Sequence, residues 1–235
     1  LDYMEAVKSL ADRAGLALPQ DGYDDTLMKQ RRRMLEANRE AARYFHETLF
    51  TPEGAAALTY LQGRGLNAKI IRHFGLGCAP NRWDGLLRHM RQKGYSEAEL
   101  VNANLARRSD KNGRTSCYDN FRNRMMIPII DLRGNVIAFG GRVLDDSKPK
   151  YVNTSDTLVY KKSQAIFALN FAKSANQGKL ILAEGYMDVI AYHQAGFTNA
   201  VACLGTALTR EQARLLARYA CLLYTSPSPR DGATS

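Results

Sequence analysis

The first hundred residues place apolar side chains at helical spacing. Tyr3, Val7 and Leu10 recur every three or four positions, and a longer stretch from about residue 25 to residue 50 combines charged and apolar side chains with the same period. Shorter helical patterns follow, and one of them begins with "SEAE", the signature of a capping box. These patterns predict a helical N-terminal region over residues 1–105.

From residue 106 the apolar positions form short β-branched runs instead. "NRMMIPIID" and "NVIAFGGRVL" are separated by a turn that contains Gly134, which is typical of an antiparallel hairpin. Because proline cannot donate a ladder hydrogen bond, Pro128 predicts that the first strand lies at an edge or beside a bulge. "PKYVNT" predicts another extended piece and "SQAIFALNFAKSA" a helix. Residues 106–177 are therefore predicted to be a mixed α/β subdomain with a small antiparallel sheet.

After Gly178 two continuously apolar strands alternate with helices. The strands are "KLILAEG" and "NAVACLG", and the helices are "YMDVIAYHQAG" and "TREQARLLARYA". Strands without polar alternation predict a parallel sheet covered on both faces, here over residues 178–220, and the predicted fold class is α+β. Residues 221–235 are rich in Ser, Pro and Gly, so we expect a disordered or non-native tail and leave residues from 225 onward out of the fold.

The charge of the chain is concentrated in its middle. The formal net charge is +10, and residues 107–173 contain 13 Lys and Arg against six Asp and Glu. Such a region suits a polyanion, because each neutralised phosphate releases counterions, although a merely solvated basic surface is the alternative. The four cysteines and four histidines show no metal-ligand spacing, and no apolar run reaches the roughly 20 residues of a membrane span.

Two further features of this basic region bear on its role. Aromatic residues are interleaved with the charges, at Tyr118, Phe121, Phe139, Tyr151 and Tyr160. Exposed aromatic rings can stack the bases of a single strand, whereas we expect Phe121 and Phe139 in the core. Gly140 and Gly141 let the backbone approach closely, either to a phosphate or to a neighbouring strand.

One carboxylate stands at the end of an apolar strand. Glu184 follows "KLILA", and Asp188 lies one helical turn further along the chain. Ligands of parallel sheets gather at the carboxyl ends of the strands, and Mg²⁺ binds one or two carboxylates together with waters and phosphates. Glu184 is therefore a candidate metal ligand. The alternative is that it caps the following helix, whose dipole favours an anion there.

Several linked motifs follow one another between residues 121 and 209. They are "FRNRMMIPIIDLRGNVIAFGGRVL", "KPKYVNT", "LVYKKSQAIFALNFAK" and "EGYMDVIAYHQAG" followed by "NAVACLGTALT". The last pair resembles the first half of the Toprim domain of bacterial DnaG-type DNA primases, and the others resemble upstream motifs of that family in the same order. The resemblance extends over nearly all of residues 1–220 and identifies the chain as a fragment of such a primase, truncated at both ends.

The resemblance implies synthesis of short RNA primers on single-stranded DNA from nucleoside triphosphates, in the cytoplasm at the replication fork of the nucleoid. It implies Glu184 as a catalytic and metal-binding residue, supported by Asp188, with Mg²⁺ or Mn²⁺ as cofactor. It also implies that basic residues guide the phosphates of template and nucleotides: Arg122, Arg124, Arg142, Lys150 and Lys162. Zinc is implied only in an N-terminal module outside this chain, and the replicative helicase would bind a C-terminal module that is also outside it.

The end of the chain departs from the family pattern. A full Toprim domain has a third strand that carries Asp-x-Asp, whereas this chain reads "CLLYTSPSPRDG", in which Asp231 has no acidic partner two residues away. Because two-metal phosphoryl transfer needs several carboxylates, we expect this chain to be inactive alone. Two alternatives stay open: a nuclease or topoisomerase-type enzyme with the same acidic centre, and a non-catalytic protein that binds single-stranded nucleic acid.

Overall fold

The computed structural model describes residues 3–16, 22–111, 114–175, 178–204 and 207–225. Asp231 lies outside these residues. The chain forms two compact units, residues 1–33 and residues 34–235. The first contains α1 (Tyr3–Ala14) and the beginning of α2 (Gly22–Leu49), which confirms two of the predicted helices.

The second unit continues with the rest of α2 and four shorter helices. These are α3 (Ala55–Gly63), α4 (Ala68–His73), α5 (Gly85–Gln92) and α6 (Glu97–Asn102). The predicted capping box of α6 is present, because Ser96 Oγ accepts from the Glu99 amide and the Glu99 side chain accepts from the Ser96 amide. A three-residue strand, β1 (Gly77–Ala79), lies between α4 and α5. The sequence pattern missed it because three residues are too few to show a period.

A separate two-stranded hairpin follows α6. Its strands are β2 (Ala106–Lys111) and β3 (Arg114–Asp119), which pair antiparallel from Ala106 opposite Asp119 to Lys111 opposite Arg114. The sequences "ARRSDK" and "RTSCYD" lack the apolar alternation that marks a half-buried strand. For that reason the hairpin was not predicted.

The main antiparallel sheet has the order β1-β4-β5-β6, with β4 (Arg124–Ile130), β5 (Val136–Val143) and β6 (Tyr151–Asn153). The predicted β4–β5 hairpin is confirmed. The register shifts between Ile129 and Ile130, so the bulge expected near Pro128 is present. Of the two predicted alternatives the bulge therefore applies and the edge position does not, since β4 is an inner strand. Proline is tolerated there because β1 pairs only with Arg124 to Met126 and ends before Pro128.

This sheet separates two hydrophobic cores, because side chains alternate between the faces of a strand. Met126 pairs with Gly141 and lies in the core formed with α2, α5 and α6. Ile127 pairs with Gly140 and lies on the opposite face, in a core shared with α3, α4 and the C-terminal strands. The register of one hairpin therefore decides which core, and which surface, each of its side chains meets.

The second sheet has the order β10-β8-β9-β7, with β7 (Ile166–Phe167), β8 (Lys179–Ala183), β9 (Ala200–Cys203) and β10 (Leu222–Thr225). The predicted parallel pair β8–β9 is confirmed. The expectation of a tail over residues 221–235 is corrected at 222–225, where β10 pairs parallel to β8. "LLYT" is a short apolar run with strand propensity, and the Ser-Pro sequence after it obscured that signal.

Three helices accompany this sheet: α7 (Leu169–Ala175), α8 (Tyr186–Gln194) and α9 (Arg210–Leu216). The predicted helix "SQAIFALNFAKSA" is shorter than expected, because Ile166 and Phe167 pair with β9 as a strand. The α+β fold class is confirmed, and the predicted domain boundaries stay predictions. None of the helices in the described parts of the chain is long and apolar enough to cross a membrane.

Candidate active site and nucleic-acid interface

Glu184 lies at the carboxyl edge of the parallel strands. It follows Ala183, which pairs with Ala202 near the end of β9, and its side chain is exposed. The N-cap of α8 is Gly185, so Glu184 does not take the capping position. Asp188 is exposed in the first turn of α8, and its Oδ2 lies 3.6 Å from the point that a β-carbon on Gly185 would occupy. Two exposed carboxylates therefore share this edge.

These carboxylates suit a divalent cation chemically, because Mg²⁺ takes oxygen ligands and keeps several waters. The positive end of the α8 dipole also favours negative charge in this position. Within the described ranges, no group of three or more His, Cys, Asp or Glu residues is arranged to hold a metal ion. Glu184 and Asp188 are the residues that could hold one at this edge.

The start of α8 is fixed to the antiparallel sheet through Tyr186. The Tyr186 hydroxyl donates to Asn153 Oδ1 at 2.9 Å, and a β-carbon on Gly140 would lie 2.9 Å from the Tyr186 ring. Burial raises the pKa of Tyr186, and the neighbouring Tyr160 and Tyr151 raise it further. The close approach allowed by Gly140 thus serves a neighbouring side chain, and it holds the helix that begins beside Glu184.

On the other face of the antiparallel sheet, two aromatic rings and a guanidinium form a stack. The rings of Trp83 and Tyr118 lie 4.6 Å apart at an interplanar angle of 26°. The Arg122 guanidinium carbon lies 4.6 Å from the Trp83 ring centroid and 5.0 Å from that of Tyr118. Trp83 is 56% exposed. The stack therefore presents a flat aromatic face and a positive charge to solvent.

Asp119 connects this stack to α5. Its carboxylate accepts from the amides of Leu86 and Leu87 at 2.8 and 2.9 Å. Its own amide donates to the Trp83 carbonyl at 2.8 Å, and its carbonyl accepts from Arg122 Nη1. Burial raises the pKa of Asp119 to about 6, against the two backbone hydrogen bonds, which lower it. One buried side chain thus links the helix end to Trp83 and Arg122.

Three arginines line a concavity beside the stack. Arg107, Arg122 and Arg124 surround a pocket of about 170 Å³ together with Tyr118, Asn120 and Val152. Arg124 Nη1 donates to the carbonyls of Gly141 and Pro149, and burial lowers the pKa of this guanidinium. We call this region the outer basic surface and define it by five residues: Trp83, Arg107, Tyr118, Arg122 and Arg124.

Arg142 lies on the opposite face of the same hairpin. Its guanidinium carbon lies 4.2 Å from the centroid of the Tyr60 ring, and that of Arg64 lies 5.4 Å from the same centroid. Arg142 also pairs across the strands with Tyr151, whose pKa is raised by burial and by Tyr60, while Arg142 lowers it. Among the described residues, Arg142 Nε and the Tyr60 hydroxyl are buried without a hydrogen-bond partner. We call Tyr60, Arg64, Arg142 and Tyr151 the inner basic cluster.

Both candidate lysines are exposed and lie in loops. The carbonyl of Lys150 accepts from the Val143 amide at 3.0 Å in the β5–β6 connection. Lys162 belongs to the stretch 161–165 before β7, which we call the lysine segment, and its amide donates to Asp156 Oδ1 at 2.9 Å. The two predicted lysines are therefore held by different loops.

The structure therefore brings Arg122 and Arg124 together, and it places Arg142 on the opposite face of the sheet. Phe121 and Phe139 are buried, as predicted. Trp83, Arg107 and Arg64 were not predicted from the sequence. Trp83 is the only tryptophan of the chain, and its isolation in a polar stretch was the available signal.

Comparisons with known proteins found similar sequences over most of the chain. The family model "DNA primase catalytic core, N-terminal domain" matches residues 44–173, and a Toprim-like model matches residues 181–225. The chain is 47% identical to a DNA primase of Deinococcus radiodurans over 235 residues, and 46% identical to one of Clostridium acetobutylicum over 222. These alignments cover 99% and 93% of this chain, but only 39% and 36% of the two relatives.

Solved structures show the same similarity. A DnaG primase catalytic domain bound to ssDNA superposes with a TM-score of 0.79 at 35% identity, covering 87% of this chain and 66% of the other. The RNA polymerase domain of Mycobacterium tuberculosis primase DnaG gives a TM-score of 0.77 at 37% identity, covering 84% of this chain and 67% of the other.

Proposed function

The chain belongs to the DnaG-type DNA primase family, and on this premise we propose that its protein synthesises short RNA primers on single-stranded DNA from nucleoside triphosphates. The chain spans less than two fifths of the curated relatives' length, so the activity is proposed for the protein to which these residues belong. Action at the replication fork in the cytoplasm, with the replicative helicase as partner, is part of the same proposal.

The observation that carries the catalytic proposal is the exposed Glu184 at the carboxyl edge, beside Asp188. A bound Mg²⁺ or Mn²⁺ would neutralise phosphate charge and make the attacking hydroxyl more acidic. Glu184 would hold this cation or accept the proton of the primer 3′-hydroxyl at a carboxylate oxygen. Asp188 would add negative charge that favours both the cation and the proton at this edge.

We assign template binding to the outer basic surface. The exposed face of Trp83 can stack a base, and base stacking contributes about 1–3 kcal/mol per base. Arg107, Arg122 and Arg124 can neutralise the neighbouring phosphates, since a guanidinium matches phosphate oxygens in a planar fork. The similar catalytic domain that was solved bound to ssDNA supports binding of a single strand by this protein.

We assign the nucleotide phosphates to the other face of the sheet. Arg142 lies there and pairs across the strands with Tyr151, whose ring centroid is 6.1 Å from that of Tyr186, the residue that fixes the start of α8. Its buried Nε without a partner among the described residues is a donor that an anion could satisfy. Lys150 and Lys162 are exposed and can supply further positive charge to a triphosphate at the Glu184 edge.

Primer synthesis by a chimaera tests the catalytic proposal. In this chimaera, residues 3–225 replace the matching stretch of the Deinococcus radiodurans primase, which supplies the remaining length. We expect labelled primers on a single-stranded template with Mg²⁺, and a loss of at least about a hundredfold in Glu184→Gln. The control is Glu211→Gln, because Glu211 is an exposed glutamate in the first turn of α9.

The outcomes of this experiment separate the candidate functions. Full activity of Glu184→Gln would contradict the assigned role. A folded chimaera that binds DNA but makes no primer would favour the non-catalytic alternative, and cleavage of supercoiled plasmid would favour the nuclease or topoisomerase alternative. Primer assays of the 235-residue chain itself test the prediction that it is inactive alone.

DNA binding by this chain tests the template assignment. We expect Trp83→Ala to weaken the affinity for a single-stranded oligonucleotide about tenfold, which corresponds to the loss of one stacked base. Because Trp83 is the only tryptophan, quenching of its fluorescence on DNA addition reports the contact directly. Phe197→Ala removes another exposed aromatic ring, outside the outer basic surface, and should bind like the wild type. Equal losses in both variants would contradict the assignment.

A further inference from the structure

The beginning of α9 holds the lysine segment through two side chains. The Thr209 hydroxyl donates to the Ser163 carbonyl at 2.6 Å. Gln212 Nε2 donates to the carbonyls of Lys162 and Ala165 at 3.2 and 2.9 Å. Three of the backbone carbonyls in this segment are thus bound by residues 46 to 50 positions later in the chain.

Both the oxygen and the nitrogen of the Gln212 side chain are hydrogen-bonded in this contact. Its side chain is buried, at 2% exposure, and its Oε1 accepts from the Thr209 amide at 3.0 Å. The Gln212 amide in turn donates to Thr209 Oγ1 at 3.1 Å, which completes a capping box. Because a buried amide is destabilising unless it is hydrogen-bonded, releasing the segment would leave Gln212 without its acceptors. The helix cap and the attachment of the segment therefore depend on the same two residues.

The attachment lies at the edge that carries the candidate catalytic carboxylate. Ile166, directly after the segment, pairs with Cys203 at the carboxyl end of β9. On the other side of β9, Ala202 pairs with Ala183, the residue before Glu184. The segment before β7 and Glu184 after β8 thus lie at the same edge of the sheet, with one strand, β9, between β7 and β8.

The backbone of Lys162 is held from both sides. Its amide donates to Asp156 Oδ1 at 2.9 Å, and its carbonyl accepts from Gln212. The neighbouring Lys161 ammonium pairs with Asp156 Oδ2 at 3.6 Å. Of the two adjacent lysines, Lys162 therefore has its main chain fixed on both sides, and its side chain is exposed.

We propose that Thr209 and Gln212 are positioning residues for the triphosphate, which keep Lys162 at the Glu184 edge before the nucleotide binds. This inference rests on the proposed function. An ordered segment avoids the entropy cost of immobilising a lysine at the moment of binding, so preorganisation raises affinity without any contact to the ligand. The effect should concern the phosphate-rich nucleotide and leave the template surface unchanged.

Binding of Mg·ATP and of AMP to this chain, measured by calorimetry, tests the proposal. We expect Gln212→Leu to weaken Mg·ATP binding about tenfold and AMP binding much less, because AMP lacks the outer phosphates. Thr209→Val should act in the same direction, and Thr209→Ser, which keeps the hydroxyl, should restore wild-type affinity. Affinity for single-stranded DNA should stay the same in all three variants.

A second measurement guards against variants that simply unfold. Trypsin cleaves after lysine, so Gln212→Leu and Thr209→Val should be cut faster after Lys162 if the segment is released, with an unchanged cooperative thermal transition. Wild-type ATP affinity in a variant whose segment is released would overturn the proposal. So would equal losses of ATP and AMP binding.

Lys162→Met distinguishes failure of this inference from failure of the proposed function. If Lys162→Met weakens ATP binding while Gln212→Leu does not, the lysine keeps its role and the positioning role is refuted. If the wild-type chain does not bind Mg·ATP, or Lys162→Met binds it normally, the assignment of nucleotide phosphates to Lys162 fails first, and the positioning role fails with it. In both cases, primer synthesis by the chimaera and by its Glu184→Gln variant tests the catalytic proposal independently of nucleotide binding.

Discussion

The outer basic surface and the inner basic cluster each take one arginine from the same hairpin, Arg124 and Arg142. The two arginines lie on opposite faces because their cross-strand pairs are adjacent in the register. Arg124 pairs with Val143, whereas Arg142 pairs with Met125. On the outer side the arginines border an open pocket and an exposed tryptophan. On the inner side Arg142 packs on Tyr60, and its Nε is buried. Arginines from one basic motif thus meet very different surroundings.

The difference teaches that basic residues close in sequence need not form one binding track. Side chains alternate across a strand, so neighbouring positions meet different partners and different amounts of water. Arg107 on the outer side is exposed and can exchange partners along a flexible strand, whereas the half-buried Arg142 is held by its contact with the Tyr60 ring and can recognise a fixed anion. We therefore expect the template and the nucleotide phosphates to approach from opposite faces of the sheet.

The largest effect on the free energy of unfolding should come from removing Asp119, which links α5 to the outer basic surface. Asp119→Ala leaves the buried amides of Leu86 and Leu87 without their acceptor. Each unsatisfied buried group costs about 1–3 kcal/mol, so we expect the free energy of unfolding at pH 7 to fall by about 3 kcal/mol. Urea denaturation measures it.

The matched control for this change is Asp84→Ala. Asp84 is the N-cap residue of α5, but its side chain makes no capping hydrogen bond and pairs only with Arg88 among the described partners. Its loss should therefore cost less than about 0.5 kcal/mol. Similar costs for the two variants would contradict the role assigned to Asp119.

The same carboxylate predicts a pH dependence of stability. Burial raises the pKa of Asp119 to about 6 from an ordinary value near 3.8. Between these two values the folded chain keeps the proton while the unfolded chain loses it, so stability falls as the pH rises and is constant above about 6. Relative to Asp119→Asn, the wild type should lose roughly 2 kcal/mol between pH 4 and pH 7. A flat difference over this range would show that Asp119 stays ionised throughout.

The main elements of the fold could be predicted because their signals are local. The strands β4, β5, β8 and β9 are apolar runs bounded by turn residues, and α8 has a helical pattern with a glycine after it. The strands β1, β7 and β10 have only two to four residues each. They exist as strands because a distant segment offers backbone partners, and that information is absent from any short window of sequence.

The residues of the candidate site also fall into those that could be predicted from local sequence and those that could not. Glu184 could be predicted because its position after an apolar strand is a local feature that fixes it at the sheet edge. The face on which Arg142 lies could not, because it depends on the register set by the turn at Asp131 and by the bulge at Ile129 and Ile130. Trp83 and Tyr118 are 35 positions apart, and only the tertiary structure brings their rings together.

The two adjacent glycines of β5 allow each face to be disturbed separately. A β-carbon on Gly140 would lie 2.9 Å from the Tyr186 ring, and one on Gly141 would lie 2.9 Å from the Phe121 ring and 3.0 Å from Arg124 Cδ. Overpacking of this kind costs about 1–3 kcal/mol, and we expect about 1.5 kcal/mol for each alanine variant. Gly140→Ala should weaken Mg·ATP binding and Gly141→Ala DNA binding. Identical effects of the two variants on both ligands would contradict the separation of the faces.

The smallest effect, and the most direct test of the comparison, is the salt dependence of DNA binding. A residue that neutralises one phosphate of a single strand contributes about 0.7 to the slope of log affinity against log salt. Arg122→Gln should reduce the slope by about that amount, because the Arg122 guanidinium lies beside the exposed Trp83. Arg142→Gln should leave the slope unchanged, because its guanidinium packs on Tyr60 behind the sheet. If both variants reduce the slope equally, the template contacts both faces, and the two clusters form one track despite their register.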